Sequence, residues 1–148
     1  MRKFAAFCAL PGEDRGLLLH AVAAAVLFRL ALYLFSIERL RSMAVRRGQG
    51  RRSFDRIVWA GRAAARRVPG ATCLSSALAL QRLLSAHRHA SELHIGVARD
   101  HGEFVAHAWV ERDGHVLIGE DERRTYTRLV SWTAGTSPGI GADRAHPG

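Results

Sequence analysis

Between His87 and Ser91 the apolar residues stop recurring every three to four positions and begin to alternate. This change of period divides the chain into a helical first part and a stranded second part. Helices followed by strands, without regular interleaving of the two, describe an α+β arrangement built on an antiparallel sheet. At 148 residues with 48% hydrophobic content, the chain can bury a real core and is not disordered as a whole.

Upstream of the switch, three helices are expected. Pro11, Gly12, Glu13 and Asp14 read as a turn and helix start, with acids favourable in a first turn. Leu17 to Ile37 is then almost wholly apolar, broken by His20, Arg29 and Ser36. Its 21 residues would reach across a bilayer, but Arg29 near the centre costs on the order of 2.5–3.5 kcal/mol there. The reading is a helix that is buried or lies on a surface. "RLRSMAVRRGQGRR", residues 39–52, follows as a helix end and solvated linker, with Gly48 and Gly50 as breakers; its charge would suit anionic lipid headgroups. Ser53 is a plausible N-cap for a second helix over 53–67, with Ile57, Ala60, Ala64 and Arg67 on one face. After Pro69 and Gly70, Thr72 caps a third helix from Cys73 to Ala86. Its apolar positions go most of the way round, so it belongs at the centre of the molecule.

Downstream, "LHIGVARD", "EFVAHAWVERD" and "HVLIGED" are short strand-like runs separated by "HG" and "DG", which are hairpin signals; they predict a three-strand antiparallel meander. "YTRLVSW" adds a fourth strand or a short helix. The organisation expected is an apolar helix and basic linker over 1–52, a core over 53–132 and a tail over 133–148.

The chain carries 22 Lys+Arg against 13 Asp+Glu, a formal net charge of +9. That balance suits an acidic peptide, nucleic acid or anionic lipid and says nothing about fold. The arginines sit near linkers without interleaved aromatics, so nucleic acid is not expected as a partner. Eight histidines raise the question of metal. However, His87 and His89 are two apart, His94, His101 and His107 are scattered, and no HExxH or paired Cys/His spacing occurs. Neither a metal nor a cofactor is expected. Two cysteines, Cys8 and Cys73, make no disulfide framework and fit a reduced, cytoplasmic protein.

Cys73 stands where a thiol can be used. Unpaired N–H groups and the positive dipole end of a helix start stabilise a thiolate and polarise a carbonyl oxygen. His107, on a strand, could supply a base, and an acid at the end of the next strand, Glu120 or Asp121, could orient the ring. The plainer readings are a small buried cysteine and a core histidine bonded to backbone. Cys8, in the N-terminal segment, is expected to be structural or incidental, and Asp113 before Gly114 to be a turn residue.

Taken together, "PGATCLSSALALQRLL", "LHIGVARD" and "FVAHAWVERDGHVLIGE" resemble the transglutaminase-like cysteine peptidases of lasso-peptide maturation. More narrowly, they resemble the stand-alone leader peptidases, over about residues 17 to 130. The resemblance implies a papain/transglutaminase-like α+β core with Cys73 as nucleophile and His107 as general base and acid. It also implies a division of labour among partners: a precursor peptide as substrate, a separate leader-recognition protein and an ATP-dependent lasso cyclase. Peripheral membrane contact through the 17–37 helix is a further expectation. Other members of the superfamily transfer acyl groups, and an inactive scaffold of the same fold is the remaining alternative. One departure stands out: the family's third residue is usually an aspartate about a dozen positions after the histidine, where this chain has Gly119. Glu120 is the favoured substitute because it lies nearest that offset and is one methylene longer than aspartate, ahead of Asp121 on the other face of a regular strand.

Overall fold

The computed structural model describes residues 8–119 and 126–135. Four helices come first: α1 (Gly12–Leu34), α2 (Ile37–Ala44), α3 (Phe54–Ala65) and α4 (Cys73–Ala86). Four strands follow: β1 (Ser91–Asp100), β2 (Glu103–Arg112), β3 (His115–Ile118) and β4 (Thr127–Ala134). They form one antiparallel sheet in the order β3-β2-β1-β4. The three-strand meander appears as expected. Its two tight turns place His101 and Gly102, then Asp113 and Gly114, at positive φ, which is the conformation a two-residue hairpin loop needs. Asp113 is therefore the turn residue its neighbours imply.

The helical layer packs on one face of the sheet. Leu78, Leu80 and Leu84 of α4 share a core with Ile57, Ala60 and Ala64 of α3 and with Leu93, Val110 and Leu117 of the strands. α4 is the central helix, buried on nearly every side. Helix α1 contributes Leu17, Ala21, Ala25, Phe28 and Ala31, spaced three or four apart along one stripe. Its first turn is tied to α3 by Arg56, whose guanidinium bonds both carboxylate oxygens of the buried Asp14, one of them at 3.0 Å from Nε.

Two boundaries differ from the sequence reading. Residues 37–44 form α2 instead of a linker, because Leu40 and Ala44 supply a fully buried stripe between arginines. The charge of that stretch hid its periodicity. "YTRLVSW" resolves as a strand, and β4 runs on to Ala134, past the boundary expected at 132. Trp132 and Ala134 are buried there, opposite Leu93 and Ser91.

Gln81, fully buried in α4, donates from Nε2 to the Trp132 carbonyl at 3.0 Å. Trp132 pairs with Leu93, so this bond shows that α4 runs back along the strands from the turn at 87–90. From Gln81 to Cys73 the helix covers about 12 Å, close to four strand residues. The start of α4 therefore lies toward the Val97–Ala106 end of β1 and β2.

Candidate active site

Cys73 is the first residue of α4 and is half-buried. Thr72 caps the helix in a reciprocal box: the Ser75 N–H donates to Thr72 Oγ1 at 3.1 Å and the Thr72 N–H donates to Ser75 Oγ at 2.9 Å. The Ser76 N–H bonds the Thr72 carbonyl at 3.0 Å. The cap thus satisfies the third and fourth N–H groups of the helix and leaves those of Cys73 and Leu74 without an intrahelical partner. Two donors and the helix dipole converge beside the thiol. Among the described residues the thiol makes no hydrogen bond.

His107 lies on β2 opposite Gly96 of β1 and is half-buried. It shares its face of the strand with Trp109 and Glu111, while the intervening Ala108 and Val110 join the core against α4. Tyr126 stacks on its ring with centroids 4.9 Å apart, and Trp109 lies beyond at 6.4 Å. Nε2 is 2.5 Å from the carbonyl oxygen of Gly119. A carbonyl can only accept, so this bond puts the proton on Nε2 and leaves Nδ1 as the basic nitrogen of the neutral ring. Among the described residues Nδ1 makes no hydrogen bond, and Cys73 and His107 are not in hydrogen-bonding contact with each other.

Gly119 occupies the place, twelve residues after the histidine, where an orienting aspartate was expected. Its φ of +88° is a glycine conformation, and an added Cβ would fall 2.6 Å from the Ala108 carbonyl oxygen and 2.8 Å from Trp109 Cβ. The tight seat on Trp109 aims the Gly119 carbonyl at the imidazole. Glu120 and Asp121, the two candidates for the third residue, lie outside the described residues.

Beside this ring stack sits a buried polar group that the sequence reading treated only as one of several scattered histidines. His94 is fully buried, with Nδ1 2.8 Å from Ser131 Oγ and Nε2 3.1 Å from Glu111 Oε2, the latter outside hydrogen-bond geometry. Trp109 Nε1 donates to the other Glu111 oxygen at 2.9 Å, and Arg128 approaches Glu111 at 3.4 Å. One carboxylate thus joins the Trp109 indole, His94 and β4. The visible signal was the two-residue spacing of His107, Trp109 and Glu111, which puts all three on one face.

Burial, reinforced by the charge of Arg128, lowers the pKa of His94 against the upward pull of Glu111 and Glu92. The unfolded chain therefore takes up a proton near pH 6.5 that the folded chain resists. Stability from this group is fully present above about pH 6.5 and is lost as pH falls toward the depressed folded value. The thermal midpoint should drop between pH 7.5 and 5, and His94→Gln should flatten that dependence. Equal slopes for the two proteins would remove His94 as its cause.

Among the described residues, no cluster of three or more His, Cys, Asp or Glu side chains could hold a metal ion. Cys8 is exposed and free.

Comparison with curated proteins and with solved structures returned no match. Residues 17–131 do match the transglutaminase-like superfamily, a span running from the first buried leucine of α1 to Ser131 of β4 and taking in the α4 start, both hairpins and His107. With most of its length matched in this way, the chain belongs to the transglutaminase-like superfamily.

Proposed function

We propose that this protein is a cysteine peptidase that removes the leader from a ribosomally made lasso-peptide precursor, with Cys73 as nucleophile and His107 as base. The superfamily includes cysteine peptidases and acyltransferases. The observation that carries the reading is the Gly119 carbonyl on His107 Nε2, which frees Nδ1 to take a proton. In the proposed reaction Nδ1 accepts the Cys73 thiol proton and the sulfur attacks the scissile carbonyl carbon. The resulting oxyanion is held by the Cys73 and Leu74 N–H groups at the start of α4. Collapse breaks the C–N bond, and the imidazolium gives its proton to the departing amine. Water, deprotonated by His107, then cleaves the thioester and regenerates the thiol.

His107 stands where the ladder between β2 and β3 has ended, beyond the Val110–Ile118 pair. Catalytic hydrogen bonds are commonly long before substrate binds, and a bound peptide would draw imidazole and thiol together. The leader is gripped by a separate recognition protein, and the released core passes to an ATP-dependent cyclase. Incubating the purified protein with precursor and recognition protein should release leader and core as two species by mass spectrometry, the core with a new free amine. An amide to an added amine in place of a free acid on the leader would move the assignment to acyl transfer. No product at all would leave a scaffold.

Glu120 remains the proposed acid of the site, now as a charge that supports a ring already held by backbone. Glu120→Gln should then slow cleavage roughly ten- to a hundredfold, short of the roughly 10⁴-fold loss seen where an acid is the sole orienting partner. Asp121→Asn should cost less than Glu120→Gln. The reverse order assigns Asp121, and no effect from either leaves a Cys73–His107 dyad on the Gly119 carbonyl.

A further inference from the structure

Helix α1 has two faces of different fate. One is sealed against α3 and α4; the other carries Leu19, Leu27, Leu30, Tyr33 and Leu34, each more than half exposed. Of the eleven large apolar residues exposed among the described residues, eight lie between Leu19 and Met43. The six on α1, from Leu19 to Leu34, fall at helical spacing into one stripe about 22 Å long. Soluble surfaces rarely concentrate apolar side chains this way without a partner.

The charge around the stripe is one-sided. No Asp or Glu occurs from Arg15 to Ile37. Where α1 meets α4 and the 48–52 segment, the stripe opens into a groove of about 680 Å³ floored by Leu27, Phe28 and Leu83. His20, Arg82 and Arg52, the last paired with Glu13 at 3.2 Å, stand among its walls, and no acidic side chain lines it. At the far end, Arg29 lies 4.8 Å over the Tyr33 ring and Arg39 lies 5.4 Å over that of Phe35. Aromatic rings topped by guanidinium groups suit the depth where acyl chains meet headgroups.

From these features we infer that the exposed face of α1 docks the protein on an anionic lipid bilayer. The helix lies in the interface and does not span it. Length and composition alone would let Gly12–Leu34 cross a membrane, but Leu17, Ala21, Ala25, Phe28 and Ala31 hold its other side in the core. The stripe enters the acyl boundary while the arginines beside it meet lipid phosphates. This surface is independent of the chemistry proposed for Cys73.

The test is cosedimentation of the full-length protein with vesicles of phosphatidylcholine alone or with one-third phosphatidylglycerol. Binding should be at least about tenfold tighter to the anionic vesicles, should weaken with salt, and should fall by about tenfold or more in Leu27→Glu/Leu30→Glu. Circular dichroism checks that the double variant is folded. If it is not, hydrogen exchange of the wild type replaces it, with protection gained on vesicles over residues 19–34 and not over β2. Wild type remaining in the supernatant, or a folded double variant that binds equally well, overturns the inference. So does light scattering that shows the wild type dimeric and the double variant monomeric, because a second copy then covers the face. Cleavage of a soluble precursor is measured separately and should be unchanged by Leu27→Glu, so loss of docking and loss of activity are read apart.

Discussion

Cys73→Ala is expected to abolish leader cleavage, lowering the rate by roughly 10⁴-fold or more. A small rate from bound-substrate polarisation at the helix start is all that can remain, because Cys8 is far away in sequence and exposed. The fold should not change. The thiol makes no hydrogen bond among the described residues, its side chain is half-buried, and the Thr72–Ser75 cap that sets the helix start does not involve it. Stability should therefore fall by no more than about 1 kcal/mol. The measurement is a time course by mass spectrometry with purified recognition protein, beside a thermal melt. Cleavage by the alanine variant at the wild-type rate would remove the peptidase reading altogether.

The second large effect is expected from His107→Ala. Loss of the base should cost about 10²- to 10⁴-fold in cleavage. The same change should slow alkylation of Cys73 by iodoacetamide near neutral pH, because a thiolate is the reactive form and its partner has gone. The labelling is best followed in a Cys8→Ser background, since Cys8 is exposed and would react as well. The alanine variant also loses the ring that stacks on Tyr126 and bonds Gly119, so a melt should accompany the kinetics. A curve of labelling rate against pH that does not move would mean that Cys73 and His107 are not a pair, whatever the fate of cleavage.

The parts of this molecule that could be read from sequence are those governed by local periodicity. The central burial of α4 followed from apolar positions on nearly every side, and the two hairpins followed from His101–Gly102 and Asp113–Gly114. Helix α2 was missed because five arginines between Arg39 and Arg51 drew attention from Leu40 and Ala44, the two residues that decide its burial. The site divides the same way. Cys73 at a capped helix start and His107 on a strand were legible as residue types in context. The partner of His107 was not, because it is a peptide carbonyl, and a carbonyl is present at every position of every sequence. Only the geometry of Gly119 against Trp109 distinguishes this one. His94 was hidden for a different reason. Its place on β1 gives it the face away from the helices, and its burial depends on Trp109, Ser131 and Glu111 arriving from two other strands.

The Gly119 carbonyl has a consequence for how such sites drift over time. An aspartate in that place is a side chain, which one nucleotide change can delete and which acid can neutralise. A peptide oxygen can suffer neither fate. Its weakness lies elsewhere: any residue larger than glycine would have to push aside the Ala108 carbonyl and the base of Trp109. In the proposed site the orientation of the ring rests on an empty volume as well as on a charged group. A search for an aspartate at this position would class this chain as degenerate, whereas the feature to look for in its relatives is a glycine after the third strand together with the tryptophan that leaves it no room to change.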